Sequence, residues 1–126
     1  MEKIFRITLL ITGGINLLPA FLAFSTQKIA DAYGIEIPNE NYELLLRHRA
    51  VLFGIVGGLM IYSAVSKKQY TLSVTAGLTS MISFVILFFL MNEINLELEK
   101  VMKIDVAAII LLLVGFGLYK FRPTGK

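Results

Sequence analysis

The chain has 126 residues, 56% hydrophobic and only 17% charged, with net charge +3, one His and no Cys. Soluble domains are nearer half apolar and about a quarter charged, so this composition points to lipid; without cysteine there are no disulfides, thiolate metal sites or cysteine nucleophiles, and a single histidine builds no His-rich metal cluster. The basic excess contains no Lys/Arg run long enough to grip a polyanion, which argues against nucleic acid, and no cofactor motif is present.

The apolar residues come in blocks rather than stripes, and three windows approach or exceed the about 20 residues needed to span a bilayer. The pattern predicts one all-α membrane domain over residues 1–126: an antiparallel four-helix bundle with helices at about 4–24, 40–66, 70–91 and 96–121 and a short amphipathic helix between the first two. Lys3 and Arg6 precede the first helix, whose apolar run is long for a signal peptide and lacks a good cleavage site, so it is expected to stay as an anchor. Thr8, Thr12, Asn16, Ala20 and Ala23 recur on one side of it, a small and polar face that should look into the bundle, and Pro19 should kink its far end.

Ser25 is placed to cap a helix over 26–33 that Gly34 ends, with Ile29, Ala32 and Tyr33 resting on the membrane surface or the bundle top. Pro38-Asn39 is a breaker followed by a cap, and Glu40 and Glu43 suit the positive end of the second helix. Ser66-Lys67-Lys68-Gln69 is a tight basic turn. The third helix carries many hydroxyls, which in lipid bond back to their own backbone or to a neighbour. Glu97 and Glu99 open the fourth helix, and Arg122-Pro-Thr-Gly-Lys is a basic tail. Four spans place Lys3, Arg6, Lys67, Lys68, Lys120, Arg122 and Lys126 on one side with Glu2 as its only acid. The positive-inside rule then puts both termini in the cytoplasm, as expected of a multi-pass protein of the bacterial inner membrane.

Counted from the cytoplasmic ends, Asn16, Ser83, Asp105 and Arg49 lie about 20, 23, 23 and 27 Å up. Each helix thus brings one polar group to nearly the same outer layer, and Glu43, Arg47 and His48 continue it outward. Glu43, Arg47, Ala50, Gly54 and Gly58 share a side of the second helix, and Gly54-x-x-x-Gly58 marks it as the closely packed side. Arg47 is therefore expected to point inward with Glu43 as its i,i+4 partner, while Arg49, beside Phe53, Val56 and Met60, snorkels to headgroups. Asp105 shares a face with Ala108, Leu112 and Gly115, so an Arg47–Asp105 or Arg49–Asp105 pair is expected between the second and fourth helices. Such a pair equally serves to pin two helices. For His48 the plain alternative is an interfacial hydrogen bond, and for Asn16 and Ser83 an interhelical one.

Leu-Leu-Leu-Arg47-His48-Arg49-Ala-Val-Leu-Phe-Gly54, Ser80-Met-Ile-Ser83-Phe-Val and Lys100-Val-Met-Lys-Ile-Asp105-Val-Ala-Ala resemble a family of small four-helix bacterial membrane proteins in the DoxX-like grouping. The resemblance covers about Asn39 to Leu113 and implies the fold and the polar layer, but no reaction. Some relatives carry a phosphopantetheine adenylyltransferase label; this chain has no His-x-x-His-type phosphate motif to match it, since His48 stands alone.

Three functions follow. In the first, Glu43, Arg47, His48, Arg49, Asp105, Asn16 and Ser83 bind a lipid or a small lipophilic or anionic ligand. In the second, the layer only fixes the packing of a bundle that assembles with itself or with a partner. In the third, a membrane enzyme uses Glu43 or Asp105 as base on a lipophilic substrate; that reading lacks a nucleophile or a metal set.

Overall fold

The computed structural model describes residues 2–121; the basic tail from Arg122 lies outside the described residues. The order is α1 (Glu2–Leu17), a 3-10 helix (Leu18–Phe24), α2 (Thr26–Tyr33), α3 (Glu40–Ser66), α4 (Tyr70–Leu90) and α5 (Leu96–Lys120), with no strand among the described residues. Four stretches, Glu2–Phe21 and the whole of α3, α4 and α5, are long and apolar enough to cross a membrane. Large side chains along them face outward: Ile55 is 62% exposed and Leu90 74%. In water such surface would be an aggregation site; against acyl chains it is the expected one.

α1 packs on α3 and α5, and α4 packs on the same two helices. The core between them is Phe5, Leu9, Met60, Ala64, Val74, Met81, Ala108 and Leu112. At one end the start of α1 meets the end of α3, the start of α4 and the end of α5. Arg6 Nε donates to the Ala64 carbonyl at 2.6 Å and Tyr70 Oη to Glu2 at 2.8 Å. Phe5 stacks on Tyr119 at 5.2 Å and meets Tyr70 edge-on at 4.9 Å. The buried hydroxyls of Thr8, Thr12 and Ser73 return to carbonyls of their own helices, so no polar group there is left for lipid to solvate.

The first span is not one α-helix through residue 24. Regular α-structure stops at Leu17 and the chain continues as the 3-10 helix. Pro19 has no N–H to give the carbonyl four residues back and its ring crowds that carbonyl, so the tighter winding takes over. α2 forms as its caps require: Ser25 Oγ accepts from Lys28 N at 3.2 Å, and Gly34 closes the helix at φ +63°. Asn95 then ties this corner down. Its amide donates to the Tyr33 and Gly34 carbonyls at 2.8 and 3.0 Å, while its carbonyl caps α5 through Leu98 N.

The close approach between α1 and α3 is made by Gly57, not by the Gly54-x-x-x-Gly58 pair. A Cβ on Gly57 would sit 2.6 Å from the Gly13 carbonyl oxygen and from Leu17 N; one on Gly58 meets nothing within 4 Å, and one on Gly54 would come within 2.9 Å of the Ala20 Cβ on the 3-10 helix, so Gly54 too is a close approach, but not to α1. The buried line of α3 runs through Ala50, Gly57, Met60 and Ala64, about one residue's rotation from the side that the glycine spacing marks. Gly57→Ala should therefore force two backbones apart and cost about 1–3 kcal/mol. Gly58→Ala should be neutral or stabilising by up to about 1 kcal/mol, because alanine is the better helix former. Thermal unfolding of both variants in the same detergent checks the assignment; equal losses would refute it.

Candidate functional site

The rotation of α3 decides which way its charges point. Arg49 lies nearer the buried line and is half-buried; Arg47 lies to the side, with 46% of its side chain exposed. This reverses the expected assignment, in which Arg47 pointed inward and Arg49 snorkelled out. The Arg49 guanidinium is held over three rings, at 4.6 Å from the Phe53 centroid, 5.2 Å from Tyr33 and 5.5 Å from Phe84. Its Nη1 donates to Tyr33 Oη at 2.9 Å. Aromatic faces solvate a cation without taking a counter-charge out of water, each contact contributing about 0.5–2 kcal/mol where solvent is excluded.

Arg49 shares a chamber of about 360 Å³ with Asn16 and Asp105, under Tyr33 and Ala32 of α2. Ile15, Leu18, Phe53, Val101 and Ile104 supply apolar wall. Asn16 is buried; its amide donates to the Thr12 carbonyl at 2.9 Å and contacts the sulfurs of Met81 and Met60 on α4 and α3 at 3.7 and 4.0 Å. Asp105 is 9% exposed and receives no hydrogen bond and no ion pair within 4.0 Å from the described residues. Its carboxylate oxygens are not sealed off, so they open into the chamber.

Neither expected cross-helix pair forms. Arg47 joins Glu43 at 3.1 Å, the i,i+4 partner on its own helix, and Arg49 is engaged by Tyr33. Ser83 is exposed, donates to the Ser80 carbonyl at 2.9 Å, and stays outside the chamber. It lines, with its neighbour Phe84, a recess of about 220 Å³ between α3 and α4 whose α3 wall includes Arg49 and Phe53. The buried side of α4 runs through Ser73, Gly77 and Met81, which turns Ser83 away. Residues at one depth thus separate by helix face.

Glu43, Arg47 and His48 belong to a different place. They stand with Glu40 at the mouth of an open groove of about 940 Å³ between the 3-10 helix and α3. Glu43 also accepts from Thr26 Oγ1 at 2.5 Å, which fixes the start of α2 to α3. His48 is exposed.

Sequence reasoning missed Tyr33 and Phe84 as partners of Arg49, and Asn95 as the tie that seats Tyr33. The i,i+4 spacing of Arg49 and Phe53 was the only visible signal; the other contacts join distant segments. The chamber offers an acceptor at Asp105, donors at Arg49 and an amide at Asn16, which is equipment for holding a polar head. No group of three metal-ligating side chains occurs among the described residues, and no lining side chain supplies a serine, threonine or cysteine nucleophile.

No family model, curated protein or solved structure matches the chain.

If Asp105 pinned two helices, neutralising it would destabilise the protein. With no partner in contact, removing a charge from a buried site should instead leave stability unchanged or raise it by about 1 kcal/mol. In delipidated, ligand-free protein Asp105→Asn is therefore expected to melt at or above the parent, and Arg49→Ala, which empties the ring cage, below it. A marked loss in Asp105→Asn would show the carboxylate to be a structural pin.

Proposed function

We propose that this chain is an antiparallel four-helix protein of the bacterial inner membrane, DoxX-like, with both termini in the cytoplasm, whose task is to hold a small amphiphilic molecule in the chamber beneath α2. The observation that carries the reading is Asp105, a carboxylate nine-tenths buried, unpaired, and open to an apolar-walled cavity. A buried carboxylate with no donor in contact is expensive; Arg49 offsets this only through space, and a ligand donor in direct contact would relieve it. Arg49, whose Nη1 is committed to Tyr33, has further N–H groups for the ligand's acceptor. The volume sits at the lower end of ligand pockets, about 300–1,000 Å³, which suits a compact head with a short apolar body rather than a whole two-chain lipid. The four apolar helices and the bias of Lys3, Arg6, Lys67, Lys68 and Lys120 to one side support the membrane placement.

Native mass spectrometry of gently solubilised protein tests this. The parent should carry one small molecule, apart from any phospholipid, that Asp105→Asn weakens and that Val101→Phe, which fills the chamber, removes, while His48→Ala in the groove leaves it in place. A parent that carries nothing besides phospholipid, or a small molecule indifferent to both chamber variants, would overturn the reading.

A further inference from the structure

The Arg47-His48 element is not used by the chamber, and the groove it borders has its own order of charge. Along α3 the mouth runs Glu40, Glu43, then Arg47, His48, and only then the apolar stretch through Val51 to Ile55. From the middle of the acidic pair to the middle of the basic pair is about 9 Å along the helix. From Arg47 to Ile55 is a further 12 Å or about that, close to the roughly 15 Å depth of one bilayer leaflet. Phe21 and Phe24 of the 3-10 helix form the facing wall, and the floor, where Ala20 packs on Gly54, is shallow and small.

We infer that this groove is a binding site for a single phospholipid whose headgroup carries an ammonium beyond its phosphate. In such a lipid the phosphate lies nearer the acyl chains and the ammonium lies outermost. Arg47 and His48 stand where the phosphate would be, Glu40 and Glu43 where the ammonium would be, and the apolar groove below takes an acyl chain. A headgroup with negative charge alone would satisfy the inner pair but bring no cation to the two carboxylates above it. Glu43 and Arg47 already join each other at 3.1 Å, so they present a fixed pair of opposite charges; a headgroup of the same polarity, reversed, lies alongside it. Glu40 and His48 are exposed and make no hydrogen bond or ion pair with the described residues, which leaves both for the lipid. The site needs the membrane placement proposed above but not an occupied chamber.

The test is purified protein reconstituted into vesicles of equimolar phosphatidylethanolamine and phosphatidylglycerol with matched acyl chains, then released for native mass spectrometry. The retained lipid should favour phosphatidylethanolamine by about threefold or more, the scale of one exposed charge pair. Glu40→Gln, at an exposed position without partners among the described residues, should fold normally and return the ratio to that of the vesicle. Arg47→Ala with His48→Ala should lower total retained lipid whichever headgroup is present. Asp105→Asn should keep the preference, which separates this site from the chamber. A parent ratio equal to that of the vesicle, an excess of phosphatidylglycerol, a preference that survives in Glu40→Gln, or one lost in Asp105→Asn would each overturn the inference.

Discussion

A guanidinium on a helix that crosses lipid has to be solvated by something, and in this protein the something is aromatic. Tyr33, Phe53 and Phe84 surround Arg49, and the Tyr33 hydroxyl takes one of its protons. The three rings come from α2, α3 and α4, so the cation gathers elements that are far apart in sequence. The same choice of partner leaves Asp105 without an ion pair in contact, with the Arg49 charge acting on it only from across the chamber. Had the two charges met within ion-pair distance, the layer would be a clasp between helices; because they do not, it is an acceptor and a donor facing shared space.

α2 supplies one wall of that space, through Ala32 and Tyr33. Its eight residues are fastened at both ends, by Thr26 on Glu43 at the start and by Asn95 on the carbonyls of Tyr33 and Gly34 at the finish. Ile29 and Tyr33 are buried against the long helices. Through Glu43 the cover is also joined to Arg47, so the chamber and the groove on the other side of α3 share one structural element. A side chain at the groove mouth therefore bears on the seating of α2 as well as on the groove itself.

Much of the fold was legible in the sequence. Four apolar blocks give four long helices, and local capping chemistry explains why α2, α3 and α5 begin at Ser25, Asn39 and Asn95. That Asn16, Arg49 and Asp105 stand at one level of the bundle was also readable, since rise per residue is fixed. Rotation about each helix axis was not. In α3 the buried line follows Gly57 because Gly13 on α1 is equally small there, a coincidence of two distant positions that spacing within α3 cannot reveal. That single rotation exchanges the roles of Arg47 and Arg49, and a similar one turns Ser83 out of the layer. The 3-10 winding after Leu17 lengthens the first span in a way the expected kink at Pro19 only partly anticipated.

The central claim is that Arg49 is bound by its aromatic cage and not by Asp105. Two double-mutant cycles on thermal stability in delipidated, ligand-free protein measure this, one pairing Arg49→Ala with Tyr33→Phe and the other pairing Arg49→Ala with Asp105→Asn. The account predicts that coupling to Tyr33 exceeds coupling to Asp105, by about 0.5 kcal/mol or more. A larger coupling to Asp105 would mean that the two charges form a structural pair, and the chamber would then lose the unpaired carboxylate on which its proposed function rests.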